Sequence, residues 1–219
     1  MHNCVCIVRE GLDLFESECT SQLNGDEIFE RMAQKYGDCG TYSDSGKIEA
    51  TRGVMTFKTY FVRPNLFRFE FSHQAEETGL SEFIWSDGNE LFTSYNNDFN
   101  HLPCDNIPRL LDEIGTAAQE ASYLVPMMLM PDYAGPAALI NASPYVQIEH
   151  TSIADRSCHR IKSTNPEASY VADLLIDSLG YKLRRMIIEF KSGDKAEVIF
   201  GDVSFDRQIS EDIFNLKHL

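Results

Sequence analysis

The sequence predicts an α+β fold in which one strongly curved antiparallel sheet is covered on its concave side by helices. Two observations lead to this prediction. Segments with alternating apolar and polar residues follow one another through short turns, as in an antiparallel meander. A helical segment precedes the first group of strands, and a second helical segment separates that group from the later strands. Helices placed in this way can bury one face of the sheet.

The first helix is predicted to begin at Asn24-Gly25-Asp26, with Asp26 as its cap, and to end near Gly37 or Gly40. Its apolar stripe has helical spacing and is formed by Ile28, Met32, Ala33 and Tyr36.

The first group of strands begins after Ser43–Gly46, which has the composition of a turn. Residues Lys47–Val62 are predicted to form one long strand, with a bulge at Gly53. Arg63-Pro64 connects this strand to the next, because proline cannot donate to a strand ladder. The remaining strands of this group are predicted at Leu66–Ser72 and, on either side of the Asp87-Gly88 hairpin turn, at Ser81–Ser86 and Leu91–Tyr95.

The middle of the chain is predicted to be helical at Ile107–Ala121. The following segment, Tyr123–Pro136, is apolar, rich in methionine and interrupted by prolines, so its helices must be short. It is either a buried connector or a mobile apolar lid, since methionine is flexible and polarisable. The later strands are predicted at Tyr145–His150, Cys158–Ser163, Tyr170–Asp177, Leu183–Lys191 and Ala196–Phe205.

Aromatic residues recur at alternate positions of the first strands, in the stretch FKTYFVRPNLFRFEF. Alternate residues of a strand point to one face of a sheet. Phe57, Phe67, Phe69 and Phe71, together with Trp85 and Phe92 of the hairpin, are therefore predicted to line the concave face. Burial of each ring contributes roughly 2–3 kcal/mol whether its neighbour is protein or a lipid chain. The pattern alone leaves open whether the rings fill a core or line a hollow.

The composition is that of a globular domain, with 43% hydrophobic and 24% charged residues in a chain of 219. The net charge of −15 repels phosphate backbones, and the sequence contains no local basic cluster to offset it. We therefore expect no nucleic-acid partner. No apolar run approaches the ~20 residues of a membrane span. No secretory signal is recognisable at the start, which leaves a cytoplasmic location or a missing leader as alternatives.

Residues with catalytic or metal-binding potential form no recognised motif, so we expect no enzyme, no metal and no cofactor. The histidines lack metalloprotease spacing, and no nucleophile elbow or phosphate-binding glycine loop occurs. Cys4 and Cys6 have no second pair to complete a tetrahedral metal site. A disulfide among Cys39, Cys104 and Cys158 is an open alternative in an oxidising compartment.

Several of these segments resemble the bacterial LolA/LolB-like lipoprotein-carrier superfamily. The matching blocks are VRPNLFRFEF, FIWSDGNELFTSY, IDSLGYKLRRM and DIFNL. The pattern C-x-x-Y-x-D-x-G, which begins here at Cys39, and the later Cys158 resemble an uncharacterised branch of predicted periplasmic proteins in this superfamily. The resemblance divides the chain into an N-terminal extension, residues 1–25, and a single LolA/LolB-like domain, residues 26–219.

The resemblance implies a half-open β-barrel under a helical cover, with a hollow that binds acyl chains. It implies that Arg63 helps to hold the lid closed by bonding to lid backbone, although an exposed edge-strand cation is an equal alternative. Met127, Met128 and Leu129 would close the hollow. It further implies a periplasmic or envelope location, despite the missing signal peptide.

The function predicted on this basis is non-catalytic binding of an apolar ligand, such as an acyl chain or a lipidated protein, by a monomer. Two alternatives stay open. The hollow could be the reaction chamber of a small-molecule enzyme, and then Tyr60, Arg68 and Glu70 are the first polar residues to inspect. The chain could instead be a structural envelope protein whose core is filled.

Overall fold

The structure is a computed structural model. It describes residues 23–51, 53–73, 81–95, 98–103, 124–134, 144–153 and 155–215. Within these ranges, no helix combines the length and the hydropathy that a bilayer crossing would require. The predicted helix Ile107–Ala121 and the extension 1–25, apart from its last three residues, lie outside the described residues. The division of the chain at residue 25 therefore stays a prediction.

Twelve strands in the described ranges form a single antiparallel sheet. Strands β1–β6 are Thr41–Ala50, Gly53–Val62, Leu66–His73, Ser81–Asp87, Glu90–Tyr95 and Asp98–Pro103. Strands β7–β12 are Tyr145–Ile153, Arg156–Ser163, Tyr170–Asp177, Leu183–Phe190, Lys195–Phe200 and Ser204–Phe205. Their spatial order is β6-β5-β4-β3-β2-β1-β11-β10-β9-β8-β7, and β12 pairs with β1 beyond the end of β11. The sheet is curved and unclosed, as predicted.

Three α-helices are described: α1 (Gly25–Asp38), α2 (Leu124–Leu129) and α3 (Pro131–Ala134). A 3-10 helix, Glu211–Phe214, follows the last strand. Helix α1 begins with a capping box in which the Asn24 side chain accepts from the Glu27 N–H and the Glu27 carboxylate accepts from the Asn24 N–H, each at 2.9 Å. The predicted cap, Asp26, is therefore wrong by two residues.

Asp26 instead connects α1 to the sheet. Its Oδ1 accepts a hydrogen bond of 2.7 Å from the backbone N–H of Tyr145, at the start of β7. The Phe29 ring stacks on the Tyr145 ring with centroids 4.6 Å apart. The first turn of α1 is thus fixed against β7.

The segment Lys47–Val62 is not one strand, which corrects the prediction. β1 and β2 form a hairpin that turns between Ala50 and Gly53, and these two residues are paired across it. Gly53 has a φ of 138°, a conformation that favours glycine. The sequence at this turn carries no strong turn signal apart from this glycine, and so the hairpin resembled a bulged strand.

The predicted turn Ser43–Gly46 also lies within β1. Gly46 is required there by close packing, because a Cβ would lie 2.4 Å from the backbone oxygen of Ile199 and 2.4 Å from Cζ of Phe57. The glycine therefore allows close approach of β11 and of an aromatic ring, and it marks no change of chain direction.

Two further differences concern strand ends. The predicted strand Ala196–Phe205 is interrupted, because the chain leaves the β11 ladder after Phe200 and pairs with β1 as β12 from Ser204. Strand β6, Asp98–Pro103, is missing from the prediction. The other later strands are found within a few residues of their expected bounds.

Candidate functional site

One face of the sheet carries a continuous buried surface, here called the core face. On β1–β3 it is formed by Tyr42, Asp44, Ile48, Met55, Phe57, Thr59, Phe61, Phe67, Phe69 and Phe71. The strand register places Phe57 beside Phe71, Thr59 beside Phe69, and Phe61 beside Phe67. Helices α1 and α2 contribute buried residues to the same cluster. They therefore pack on the core face.

Four of the predicted aromatic residues lie on the core face, namely Phe57, Phe67, Phe69 and Phe71. None is more than 6% exposed. The rings of Phe67 and Phe69 stack with centroids 5.1 Å apart. The protein itself shields these rings, so a ligand would reach them only by replacing some of their present contacts.

Trp85 and Phe92 lie on the opposite face of the sheet, which corrects the prediction of one shared lining. Trp85 pairs with Arg68 in the register, whereas Phe67 and Phe69 pair with Ser86 and Ile84. Side chains of successive residues point to opposite faces. Trp85 and Phe92 pack instead with Phe214 of the 3-10 helix, in a separate cluster.

Helix α2 consists of buried apolar residues and contains no charge. Met128 and Leu129 join the main buried cluster. Met127 is also buried, at 5% exposure, but it lies outside that cluster. Two of the three predicted lid residues therefore contact the cluster to which the core face belongs.

Arg63 connects helices α1 and α2 to the β2–β3 connection. Its Nη2 donates to the carbonyl oxygens of Gly37 at 2.6 Å and Leu129 at 3.1 Å, while Nε donates to that of Cys39 at 3.0 Å. The guanidinium also lies 5.3 Å from the centroid of the Phe61 ring. A single side chain thus satisfies carbonyls in the last turns of both helices and at the cap of α1, which have no partner within their own helix. The role of Arg63 in holding a lid closed stays a prediction.

Asp44 is a buried carboxylate among the aromatic rings of the core face, at 5% exposure. The Tyr42 hydroxyl donates to its Oδ2 at 2.6 Å, whereas Oδ1 is buried and accepts no hydrogen bond from the described residues. Burial raises the pKa of Asp44 to about 6, and hydrogen bonds only partly oppose this effect. The prediction that Asp44 is a turn residue is therefore wrong. The alternation Tyr42, Ser43, Asp44, Ser45 was the signal for a strand.

Asp44 should make the stability of the protein fall as the pH rises. Because the pKa is about 6 in the folded chain and 3.8 in the reference state, the folded chain holds a proton between these values that the unfolded chain releases. The free energy of unfolding therefore falls between about pH 4 and pH 6, and the loss is complete above this window. Asp44→Asn removes this pH dependence. Between pH 4 and pH 7, the free energy of unfolding of wild type should therefore fall by about 2 kcal/mol more than that of the variant. Urea unfolding at both pH values measures it.

The matched control is Asp132→Asn, which changes an exposed carboxylate in α3. This variant should follow the wild-type pH profile, since its charge is solvated in both states. Parallel profiles for wild type and Asp44→Asn would show that Asp44 stays ionised in the folded protein across this range.

The polar residues proposed for a reaction chamber do not converge on the core face. Tyr60 and Arg68 are paired across β2 and β3, and their strand positions place them on the opposite face with Glu70. Arg68 forms an ion pair with Glu70 and donates to the carbonyl oxygen of Ile213 at 3.1 Å. Arg68 thus fixes the 3-10 helix to the sheet, and these three residues lie on the face away from the predicted hollow, which corrects their placement inside it.

Cys39 and Cys158 are buried free thiols. Burial raises the pKa of both thiols, which disfavours the reactive thiolate. Cys104, Cys4 and Cys6 lie outside the described residues. Because both thiols are free, Cys39 and Cys158 are not joined by a disulfide.

Comparison with known proteins gives a match at the level of the fold. A scan against protein-family models finds no match, and a search of curated proteins finds none either. Among solved structures, MucB in the MucA/MucB complex of Pseudomonas aeruginosa matches with a TM-score of 0.53 and 13% identity, over 86% of this chain and 59% of MucB. LprF of Mycobacterium bovis matches with a TM-score of 0.50 and 10% identity, over 84% of this chain and 93% of that chain.

A LolA superfamily protein of Nitrosomonas europaea also matches, over 90% of this chain and 100% of that chain, at 10% identity. Its TM-score is 0.42. At these identities the likeness shows the fold alone. The chain shares its fold with MucB and LprF. It spans about 60% of the length of MucB.

Proposed function

We propose that the protein binds an apolar ligand without catalysis, in a hollow that opens between the core face and helices α1 and α2. The ligand is an acyl chain, either of a free lipid or of a lipidated protein. Residues 26–219 act as one monomeric LolA/LolB-like domain, a half-open barrel whose helices cover the concave side. Phe57, Phe67, Phe69 and Phe71 line the hollow, Met127, Met128 and Leu129 close it, and Arg63 holds it closed.

The observation that carries this proposal is the attachment of α2 by Arg63. Helix α2 is short and uncharged, and a hydrogen bond from Arg63 ends at the carbonyl oxygen of its last residue, Leu129. Hydrogen bonds to backbone oxygens can be exchanged for water when the helix moves. An acyl chain under α2 would restore the apolar burial that the core face loses, at roughly 25 cal/mol per Å². The burial of the acyl chain would therefore offset the apolar contacts that are lost when α2 moves.

A structural comparison supports a partner protein as the source of the ligand. MucB was crystallised in complex with MucA, so a protein with this fold forms a complex with another protein. In our proposal the partner of this chain is a lipoprotein that presents its acyl group to the hollow. Binding would depend mainly on burial of apolar surface, and selectivity among acyl chains should be loose.

The second candidate is a structural protein with a filled core, and the burial of the rings favours it. Phe61 and Phe67 are 0% exposed and Phe69 is 1% exposed. A protein interior packed to this degree needs no ligand for its stability. The two candidates differ in whether α2 leaves the core face.

Photolabelling with a diazirine derivative of palmitate distinguishes them. After irradiation and peptide mapping, we expect adducts on β2, β3 and α2, at or near Phe57, Phe69 and Met128. Unlabelled palmitate in excess should reduce these adducts at least tenfold. Native mass spectrometry of the purified protein should show a mass increment of one lipid.

The two faces of the sheet provide an internal control. Trp85 and Phe92 offer aromatic surface of the same kind on the face away from α2. Adducts there in equal amount would show unspecific adsorption, and a protein that takes up no palmitate on either face would be the filled scaffold.

A further inference from the structure

A wide cleft lies where the sheet divides, at the first residues of β10. The ladder between β10 and β11 ends with the pair Arg185 and Ile199, and β12 then pairs with β1 alone. The loop Gly201–Val203, together with Ile153 at the end of β7 and Arg156 at the start of β8, completes the walls. The cleft has a volume of about 1020 Å³, the upper end of the range for ligand pockets.

Basic residues from three separate segments meet in this cleft: Arg156, Lys182, Arg184, Arg185 and Arg207. Two of them are neutralised, Arg184 by Asp177 at 3.3 Å and Arg185 by Glu197 at 2.7 Å. Arg156, Lys182 and Arg207 have no carboxylate within 4 Å among the residues that the structure describes. The five basic residues outnumber the two acidic residues of the lining, Glu197 and Asp202, so the cleft is locally positive in a chain with a net charge of −15.

Two residues of the lining also carry hydrogen-bonding groups that are left without partners. Arg184 Nε and Ser204 Oγ are buried and make no hydrogen bond to any described residue. Such groups usually have a partner, so each needs an explanation. Lys182 reaches across the division to the carbonyl oxygen of Val203 at 3.0 Å. Burial lowers the pKa of Lys182, the charge of Arg184 lowers it further, and the charge of Asp177 opposes both effects.

Apolar side chains flank the basic ones. Ile153 and Ile199 line the cleft and are 42% and 43% exposed. These large apolar residues gain by being covered. A ligand that fits must therefore offer acidic and apolar groups at short intervals, and it must be longer than a single small anion.

We propose that this cleft binds an acidic segment of a partner protein in an extended conformation. Successive side chains of an extended segment point to opposite sides, so carboxylates can meet Arg156 and Arg207 while apolar residues cover Ile153 and Ile199. Guanidinium groups bind carboxylates in pairs of hydrogen bonds. A flat anionic membrane suits the site less well, because it cannot enter a recess and is repelled by the rest of the chain. The site is independent of the hollow proposed above.

Fluorescence anisotropy with a labelled eight-residue peptide, in which glutamate alternates with valine and serine, tests the proposal. We expect saturable binding that weakens as salt rises from about 0.05 to 0.3 M. Arg156→Glu/Arg207→Glu should weaken binding more than tenfold, and Arg207→Gln alone should weaken it several-fold. All these side chains are exposed, so circular dichroism should show an unchanged fold.

The matched control is Lys191→Glu/Lys195→Glu, which makes the same change of charge at two exposed sites beside the β10–β11 turn, outside the cleft. It should alter the Kd less than threefold, and the same peptide with glutamine for glutamate should not bind. The proposal fails if both double variants weaken binding equally or if the glutamine peptide binds as well. It also fails if phosphatidylglycerol vesicles, and not the peptide, bind in a manner that depends on Arg156 and Arg207.

Discussion

Replacement of Gly25 by alanine is expected to lower the free energy of unfolding by about 3 kcal/mol, the upper part of the range for overpacked sites. A Cβ at this position would lie 2.5 Å from the backbone carbon and oxygen of Tyr145, and 2.7 Å from the backbone carbon of Val146. These are main-chain atoms of a strand, which cannot turn aside as a side-chain end could. Helix α1 must move away from β7, and the hydrogen bond from Tyr145 to Asp26 is lost with it.

Gly37 near the end of the same helix provides the control. A Cβ there would meet only the oxygen of Met128 at 3.8 Å and Cγ of Pro131 at 3.9 Å, which are ordinary contacts. Gly37→Ala should be neutral or should stabilise by up to about 1 kcal/mol, because alanine favours the helix. Urea unfolding of both variants measures whether each substitution lowers or raises the free energy of unfolding. Equal effects would mean that α1 does not rest on β7 as described.

Replacement of Arg63 by alanine is expected to cost about 3 kcal/mol as well. The carbonyl oxygens of Gly37, Cys39 and Leu129 lose their charged donor. Each such hydrogen bond contributes about 1–1.5 kcal/mol net when partial exposure is taken into account. Arg63→Lys should retain less than half of the free energy of unfolding that Arg63→Ala loses, since one ammonium group cannot replace both Nε and Nη2 in their fixed directions.

The location of the effect is as informative as its size. Hydrogen exchange in Arg63→Ala should accelerate at Met130, whose N–H donates to Pro126, and at the end of α1. Arg68→Ala on the next strand should instead accelerate exchange at the 3-10 helix, since Arg68 bonds to Ile213. If Arg63→Ala left exchange at Met130 unchanged, the latch would be excluded.

Much of the fold follows from local patterns. Alternation between Leu66 and Ser72 and the Asp87-Gly88 turn were enough to place β3, β4 and β5, because these signals act within a few residues. The hairpin between β1 and β2 was missed, since Ala50, Thr51 and Gly53 resemble a bulged strand. The cap of α1 was assigned to Asp26, although Asn24 followed by Glu27 is the stronger signal.

The candidate sites were less predictable, because they depend on register and on contacts between distant segments. The face occupied by Trp85 depends on how β4 is aligned on β3, and a shift of one residue would reverse it. The basic cleft combines Arg156, Lys182 and Arg207 with their neighbours from separate segments, so no stretch of sequence shows a cluster. Asp44 could have been predicted to lie within a strand, but its burial depends on the helices above it.

An unclosed sheet has two outer strands, and the arrangement of β7 bears on whether copies of the chain aggregate. Free main-chain groups of such a strand can recruit a strand of another molecule and begin a fibril. Here the Tyr145 N–H is occupied by Asp26, and the register shifts between Gln147 and Glu149, which interrupts the regular ladder. Loss of α1 would thus expose a polymerisation edge that already presents Val146 and Ile148 to solvent.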